Sequence, residues 1–343
     1  MRAEAFQPLR LTERNALRLR SSGLRVFMTG GSGWLGRATL EMLESAFPGP
    51  EFSQRVVAFG SRARPLTLRS GRQVLLLAQA ELPQMRSAPT LLLHYAFATK
   101  DKTVEMTPAE YQQRIASIRA VVSQALSRVG VTHMLLPSSG AVYGLPTRPD
   151  RTLCTDAVLN PYGAEKIEDE THFLRLTREL GIRVAVARVF NLAGPYINKH
   201  GAYALSSIIN AVLAGDCVRL RAAKRVIRDY VSVEDFVNVS LGWLLRGPEA
   251  EATIFDTGRG EAVELSELAR RSFQALGHAE PCIERPALGA EPDDRYLGDP
   301  RVFATLAAEL GVTLSNLDQQ IRATADYLAA PERGPDTRLP PDS

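Results

Sequence analysis

A glycine-rich segment near the start of the chain restricts the fold more than any other feature. The residues Thr29-Gly30-Gly31-Ser32-Gly33-Trp34-Leu35-Gly36 stand between a short apolar run over 25–29 and a helical pattern over about 34–46. Glycines at this spacing permit a tight turn, and the helix that follows offers free N–H groups to a phosphate. A tight turn alone uses the same residues, so the position directly after a first strand matters. We expect a dinucleotide site lined by Gly30, Gly33, Trp34, Leu35 and Gly36.

The rest of the first half is a regular alternation of strand and helix patterns. Strand patterns lie at 25–29, 55–59, 91–96, 132–136 and 183–189, and helix patterns lie at about 34–46, 108–129 and 163–180. A hairpin that turns at Ser70-Gly71 accounts for 65–78. Strands separated by helices are typical of βαβ units. The sequence therefore predicts an α/β fold with a Rossmann-type doubly wound parallel sheet, whose ligands bind beyond the carboxyl ends of the strands.

The alternation fades after Pro195, and this change divides the chain. We expect an N-terminal appendage at 1–23 with a helix over about 9–19, then a dinucleotide-binding Rossmann domain at 24–190. A smaller C-terminal lobe at 191–330 would mainly bind substrate, and 331–343 would be a mobile, proline-rich tail. Within the lobe, helical patterns lie at 204–214, 233–245, 266–276 and 302–310, and a strand pattern lies at 218–221.

Composition excludes several classes of protein. The chain has 41 lysines and arginines against 38 acidic residues, and a net charge of +3 is too small to favour a nucleic-acid or membrane-surface partner. No apolar run approaches the ~20 residues that span a bilayer. The cysteines Cys154, Cys217 and Cys282 have neither metal-ligand spacing nor a disulfide pattern. We therefore expect no metal site, no disulfide framework and a reducing cytoplasm.

The second motif is Tyr162-Gly163-Ala164-Glu165-Lys166. On a helix, residues four apart share a face, so the phenol and the ammonium point into one site. A phenol ionises near pH 10 in water, and a neighbouring ammonium together with an oxidised nicotinamide favours the phenolate. Tyr162 is therefore a candidate general base toward a sugar or alcohol hydroxyl. A surface pair is the alternative, although Lys166 is one of only five lysines.

With these motifs the chain resembles the extended short-chain dehydrogenase/reductase family, in its NAD(P)-dependent nucleotide-sugar epimerase/dehydratase group. Three further stretches match that group: Ser138–Gly144, Arg188–Pro195 and Arg228–Asp235. The resemblance implies that Tyr162, Lys166 and Ser139 are catalytic, with Ser139 bonded to the oxygen that Tyr162 deprotonates. Tyr162 and Lys166 would also contact the cofactor NAD(P), and His94 and Ala96 would line it.

The resemblance also implies a nucleotide-sugar substrate and a homodimer formed through the helices at 108–129 and 163–180. Its implied substrate contacts are Ser139, Tyr143, Asn191 and Arg228. Structural roles are the alternatives for three of the site residues. Ser139 would then be a turn hydroxyl at a strand end, His94 a hydrogen-bonded core histidine, and Arg228 the partner of Asp229 in an ion pair.

Two departures from the family pattern narrow the chemistry. The second strand ends without the acid that binds the adenosine ribose, and Ser61 and Arg62 stand there instead. These residues favour a 2′-phosphate and therefore NADP over NAD, unless Arg62 and Arg64 are merely solvated loop charges. After the catalytic serine, Gly140 and Ala141 replace the acid pair of the dehydratases, and neither transfers a proton.

These observations favour a nucleotide-sugar epimerase that acts at C4 through a bound keto sugar. The first alternative is an NADPH-dependent nucleotide ketosugar reductase, which the missing ribose acid supports. The second is a non-catalytic dinucleotide-binding sensor, because a fold alone does not establish catalysis.

Overall fold

The computed structural model describes residues 7–144, 150–247 and 251–330. Its α-helices are α1 (Glu13–Ser21), α2 (Trp34–Ala46), α3 (Glu51–Arg55), α4 (Lys102–Glu105), α5 (Pro108–Arg128), α6 (Pro161–Leu180), α7 (Ala204–Ala214), α8 (Val233–Leu245), α9 (Leu265–Ala275), α10 (Pro300–Leu310) and α11 (Leu317–Ala329). Its strands are β1 (Arg25–Thr29), β2 (Val56–Gly60), β3 (Arg64–Thr67), β4 (Gln73–Ala78), β5 (Thr90–His94), β6 (Val131–Ser139), β7 (Arg183–Val189), β8 (Asn191–Ala193), β9 (Val218–Arg219), β10 (Val226–Arg228), β11 (Tyr230–Ser232), β12 (Ala252–Asp256), β13 (Val263–Glu264), β14 (Ile283–Glu284) and β15 (Asp294–Tyr296).

One large sheet organises the molecule and confirms the predicted Rossmann-type α/β fold. Its eight strands follow the order β12-β7-β6-β5-β1-β2-β4-β3. The pairs are parallel except for the β3–β4 hairpin, which matches the predicted turn at Ser70-Gly71. Every residue of the central strand β5 is buried, as its continuous apolar run indicates.

The sheet takes its edge strand β12 from beyond residue 190, where the sequence predicts the lobe. This strand pairs with β7, from Ala252 opposite Val184 to Asp256 opposite Arg188. The chain therefore returns to the sheet after entering the lobe, and the predicted boundary does not separate the two parts cleanly. β12 escapes prediction because it is a five-residue run in a region of irregular pattern.

The N-terminal segment packs on the body of the molecule. Leu9, Leu11 and Leu19 are buried in the main apolar core, and α1 packs against α2 and α8. Asn15 donates from Nδ2 to the carbonyl oxygen of Asn238 at 2.8 Å. From residue 7 onward, the predicted appendage is thus part of the main core. Residues 1–6 and the predicted tail at 331–343 lie outside the described residues.

The C-terminal lobe has its own core between α7, α9 and α11, and small sheets surround it. Cys217 and Cys282 are joined there by a disulfide, with their Cα atoms 4.7 Å apart. The expectation of no disulfide is wrong for this pair. β9 and β14 pair in parallel and bring the two cysteines together across 65 residues of sequence, a proximity that spacing alone does not reveal.

Candidate functional site

The glycine loop joins β1 to α2 at the carboxyl edge of the large sheet. Gly30 has a φ of 70°, and a Cβ atom there would lie 2.7 Å from the carbonyl carbon of Tyr95. A Cβ atom on Gly36 would lie 2.4 Å from the carbonyl oxygen of Gly30, so the first turn of α2 packs directly on the loop. Gly33 is the N-cap of α2 and has no side chain to occupy the first N–H groups of the helix.

Trp34 and Leu35 open α2 and are half-buried. The indole Nε1 of Trp34 donates to the carbonyl oxygen of Pro195 at 2.7 Å, and its ring centroid lies 5.7 Å from that of Tyr203. Leu35 packs against the main core. The segment between β8 and α7 therefore borders the glycine loop.

Ser61 and Arg62 lie in the loop that follows β2, and both are exposed. Because β2 runs parallel to β1, with Phe59 opposite Thr29, this loop leaves the same edge of the sheet as the glycine loop. The two predicted ribose contacts are thus on the correct edge and accessible to a ligand.

His94 ends β5 beside the glycine loop, opposite Thr29 of β1. The imidazole Nδ1 shares a hydrogen bond of 2.7 Å with Thr29 Oγ1, which also accepts the Ala96 N–H at 3.2 Å. Its Nε2 is buried and has no hydrogen-bond partner within the described residues. Burial, and to a lesser extent the Lys166 charge, lowers the pKa of His94 to about 3, so the ring is neutral.

Ser139 and Tyr162 meet where β6 ends and α6 begins. Ser139 Oγ accepts the Ala141 N–H at 3.2 Å and lies near the Tyr162 hydroxyl. Burial raises the pKa of Tyr162 above its ordinary value, while the neighbouring Ser139 hydroxyl acts in the opposite direction. Without a cofactor, Tyr162 is therefore a neutral phenol, and the expected phenolate requires added positive charge.

Asn160 fixes the start of α6 and was not among the predicted site residues. Its Oδ1 accepts the Gly163 N–H at 3.1 Å, and its Nδ2 donates to the Ala141 carbonyl oxygen at 2.7 Å. A Cβ atom on Gly163 would lie 2.0 Å from that amide nitrogen. The Asn-Pro pair, a favourable N-cap followed by proline at the first helical position, was the available signal.

Lys166 is buried one turn further along α6. Its Nζ donates to the carbonyl oxygen of Pro137 at 3.0 Å and lies 3.6 Å from the ring centroid of Phe97. Burial lowers the pKa of Lys166 to about 8, although Asp169 and Glu170 act in the opposite direction. The ammonium is thus held at the carboxyl end of β6, beside Tyr162.

Tyr296 is a second site residue that was not predicted from the sequence. Its hydroxyl lies 3.2 Å from Ser139 Oγ, and burial raises its pKa to about 12. β15 pairs with β10 and carries Tyr296 across from a part of the chain 157 residues away from Ser139. Ser139 thus stands between two phenols, Tyr162 and Tyr296.

The predicted substrate contact Tyr143 is buried in a charged network. Its hydroxyl donates to Asp256 at 2.9 Å and accepts from Arg188 at 2.6 Å. Asp256 also binds Arg151 at 2.6 Å, and Arg188 binds Glu170 at 2.7 Å. This geometry gives the Tyr143 hydroxyl a structural role and disfavours a contact with substrate.

Asn191 and Arg228 lie near Tyr296. Asn191 donates from Nδ2 to the carbonyl oxygens of Asp229 at 3.1 Å and Tyr296 at 3.4 Å. Arg228 binds both carboxylate oxygens of Asp294, at 3.2 and 3.0 Å. The ion pair considered as an alternative for Arg228 therefore exists, but with Asp294 in place of Asp229.

Gly140 has a steric requirement of its own. A Cβ atom there would lie 2.4 Å from Cε1 of Phe190, whose ring is packed against Tyr296 at 4.8 Å between centroids. An aspartate at this position would collide with that ring. The packing of Phe190 therefore leaves no room at position 140 for the acid that the dehydratases carry there.

Residues 7–144, 150–247 and 251–330 hold no group of three or more histidine, cysteine or acidic side chains arranged to bind a metal ion. No helix in those ranges is both long and apolar enough to cross a membrane.

Known proteins resemble this chain over most of its length. The sequence profile of the NAD dependent epimerase/dehydratase family matches residues 26–255. The dTDP-L-rhamnose 4-epimerase of Burkholderia thailandensis is 25% identical over 347 aligned positions, which cover 86% of this chain and 90% of that protein. The UDP-glucose 4-epimerase of Azospirillum brasilense is 24% identical and covers 81% of this chain and 85% of its own.

Solved structures share the fold. The UDP-N-acetylglucosamine 4-epimerase of Methanobrevibacter ruminantium superposes with a TM-score of 0.69 at 15% identity and covers 89% of this chain and 98% of its own. The UDP-glucose 4-epimerase of Brucella ovis, solved in complex with NAD, has a TM-score of 0.68 at 20% identity, with 88% and 98% covered.

Proposed function

Because the chain belongs to the NAD-dependent epimerase/dehydratase family, we propose that it is an NAD(P)-dependent nucleotide-sugar epimerase that acts at C4 of the sugar. The observation that carries this proposal is the meeting of Ser139, Tyr162 and Lys166 at the carboxyl end of β6. The 4-epimerase activities named for relatives that align over most of both chains support it.

The glycine loop fits the phosphates of a dinucleotide. Its glycines pack so closely that Cβ atoms on Gly30 and Gly36 would collide with backbone, and α2 begins beside it without a side-chain cap. Gly30, Gly33 and Gly36, with the backbone of Trp34 and Leu35, would hold the phosphates, while His94 and Ala96 would line the adjoining strand end. When bound, the dinucleotide supplies the means to oxidise and reduce the sugar carbon.

Tyr162 would act as the acid and base of the reaction. Its oxygen takes the proton of the C4 hydroxyl as that carbon becomes a ketone, and it returns the proton when the alcohol forms with inverted configuration. Ser139 would hydrogen-bond the same substrate oxygen, and the Lys166 ammonium would favour the phenolate and hold the nicotinamide ribose. Asn191 and Arg228 would contact the substrate, with Arg228 at its diphosphate.

Replacing the base tests the mechanism. We expect Tyr162→Phe to lower kcat at least 100-fold because it removes proton transfer, while NAD(P) affinity changes little. UDP-glucose, UDP-arabinose and dTDP-L-rhamnose are the first substrates to test, with products separated by chromatography. Tyr196→Phe, which removes a buried hydroxyl that donates to the Glu41 carboxylate at 2.6 Å, is the matched control. Full turnover by Tyr162→Phe would overturn the mechanism.

The same assay separates an epimerase from a reductase. An epimerase leaves the absorbance at 340 nm unchanged during net turnover, whereas a reductase consumes NADPH stoichiometrically. Steady loss of absorbance coupled to product formation would replace the epimerase proposal with the reductase alternative.

We also propose that the protein prefers NADP to NAD. Ser61 and Arg62 are exposed at the end of β2, where a carboxylate would repel a 2′-phosphate, so we expect NADP to bind more tightly than NAD. Titration of both cofactors against the wild type and Arg62→Gln tests this preference. The variant should bind NADP more weakly than the wild type does, while its affinity for NAD should stay unchanged. Equal or tighter binding of NAD by the wild type contradicts the preference.

The proposed homodimer would form through α5 and α6. These helices are joined within one subunit by Arg119, which binds Glu165 at 3.0 Å and Asp169 at 2.6 Å. Sedimentation equilibrium of the full chain tests the assembly, and a monomer at micromolar concentration would contradict it.

A further inference from the structure

The side chain of Phe97 touches both members of the Tyr162–Lys166 pair. The Lys166 ammonium lies 3.6 Å from the centroid of the ring. The Tyr162 ring meets it at 89°, with 5.6 Å between the ring centroids. Phe97 comes from the segment after β5, so a third element of the fold reaches the pair that α6 carries.

We propose that Phe97 is a positioning residue of this site, whose ring holds the Lys166 ammonium and the Tyr162 phenol in place for the reaction. The inference rests on the proposed function only where it concerns turnover. The contacts themselves do not depend on which substrate the protein takes.

Apolar neighbours hold the Phe97 ring in place. It packs against a small apolar cluster in which Ala98, Tyr111 and Ile115 are buried. Tyr111 donates its hydroxyl to the Ala98 carbonyl oxygen at 2.9 Å and so ties the backbone next to Phe97 to α5. The aromatic face is therefore fixed relative to α5, which Arg119 joins to α6.

This support matters because an ammonium has three N–H groups. One of those on Lys166 donates to the Pro137 carbonyl oxygen at 3.0 Å, and the face of Phe97 covers another side. The third N–H group would donate a hydrogen bond to a ribose hydroxyl or to the Tyr162 oxygen. Without the ring, the flexible lysine chain would lose one of its two fixed contacts.

The titratable groups around Lys166 are either neutral or paired with an arginine, so the ring has a part in stabilising the ammonium. His94 faces it from β5 and is neutral, because burial lowers the pKa of this imidazole. On α6, Asp169 is bound to Arg119 and Glu170 to Arg188. Tyr162 in turn faces Tyr203, Tyr296 and Asp101.

The proposal predicts how the charge of Lys166 responds to the loss of the ring. Burial lowers the pKa of Lys166 to about 8, and an aromatic face stabilises the charged form against this effect. Removing the face should therefore lower the pKa further, by about one unit.

The test compares Phe97→Leu, Phe97→Met and Phe97→Tyr in the full chain. The pH dependence of Lys166 acetylation, read by mass spectrometry, should shift down by about one unit in the leucine and methionine variants and by less than about 0.3 unit in the tyrosine variant. Phe173→Leu, which makes the same change at a buried ring against His94, is the matched control and should not shift it. An unshifted profile in folded Phe97→Leu and Phe97→Met overturns the proposal.

Turnover provides the second measurement. The alkaline limb of the kcat/KM profile should move to lower pH in Phe97→Leu by the same amount and return in Phe97→Tyr. Labelling needs no substrate, so an inactive wild type would refute the proposed function and leave the Phe97 test intact. Alkaline limbs at the same pH in the wild type and in all variants would refute the positioning role.

Discussion

The ion pair between Arg228 and Asp294 competes with the diphosphate that Arg228 is proposed to bind. Asp294 accepts hydrogen bonds from both terminal nitrogens of the guanidinium. A phosphate needs the same nitrogens in the same bidentate geometry. Substrate binding must therefore displace Asp294, and we expect Asp294→Asn to increase the affinity for nucleoside diphosphates.

The size of the effect follows from the exposure of the pair. The Arg228 and Asp294 side chains are 19% and 30% exposed, so solvent screens their attraction substantially. Partly exposed pairs contribute about 0.5–1 kcal/mol, which corresponds to an increase in affinity of about two- to fivefold when the competitor loses its charge. Arg228→Gln should weaken binding by about tenfold, because hydrogen bonds to charged groups contribute more.

Calorimetric titration with UDP and dTDP measures both variants without requiring turnover. Asp293→Asn removes a neighbouring carboxylate, 3.7 Å from Arg295, and serves as the control for a general change of charge. In the Arg228→Gln background, Asp294→Asn should lose most of its effect. Unchanged or weaker binding by Asp294→Asn, alongside a normal control, would refute the competition.

Three other outcomes follow from the structure. Gly140→Ala should destabilise the protein by about 1–3 kcal/mol in urea unfolding and reduce turnover, because its Cβ would lie 2.4 Å from the Phe190 ring; an unchanged midpoint contradicts this. The pKa of His94 is lowered to about 3, so below pH 6.5 the unfolded chain takes up a proton that the folded protein does not bind. The contribution of this residue to the free energy of unfolding is therefore full above pH 6.5 and decreases as the pH falls. Wild type should lose about 2 kcal/mol more than His94→Gln between pH 7.5 and pH 5, and parallel pH profiles contradict it. Thiol labelling of the denatured chain should modify one cysteine before reduction and three after it, and three before reduction would contradict the bond between Cys217 and Cys282.

The features that the sequence predicts well depend on local pattern. The glycine loop, the β3–β4 hairpin and the spacing of Tyr162 and Lys166 each occupy a short stretch whose residue types have one dominant structural use. The parallel sheet follows from the repetition of such stretches. Periodicity is sufficient there because the central strands β1, β5 and β7 are buried along most of their length on both faces.

The features that escape prediction depend on distant parts of the chain. Tyr296 reaches Ser139 only because β15 pairs with β10, and the disulfide exists only because β9 and β14 pair. Tyr143 lies in a matching motif, yet its hydroxyl is bound by Arg188 and Asp256. Neither residue type nor spacing reveals which partner will satisfy a buried polar group.

The late position of β12 has a consequence for synthesis of the chain. Ribosomes complete β7 and then make about 60 further residues before β12 emerges, which takes roughly 3–12 s at typical rates of elongation. During that interval the mostly buried, valine-rich strand β7 is an unpaired sheet edge. A nascent chain stalled in this window would expose a surface prone to aggregation, and binding of a chaperone would be most valuable at that stage.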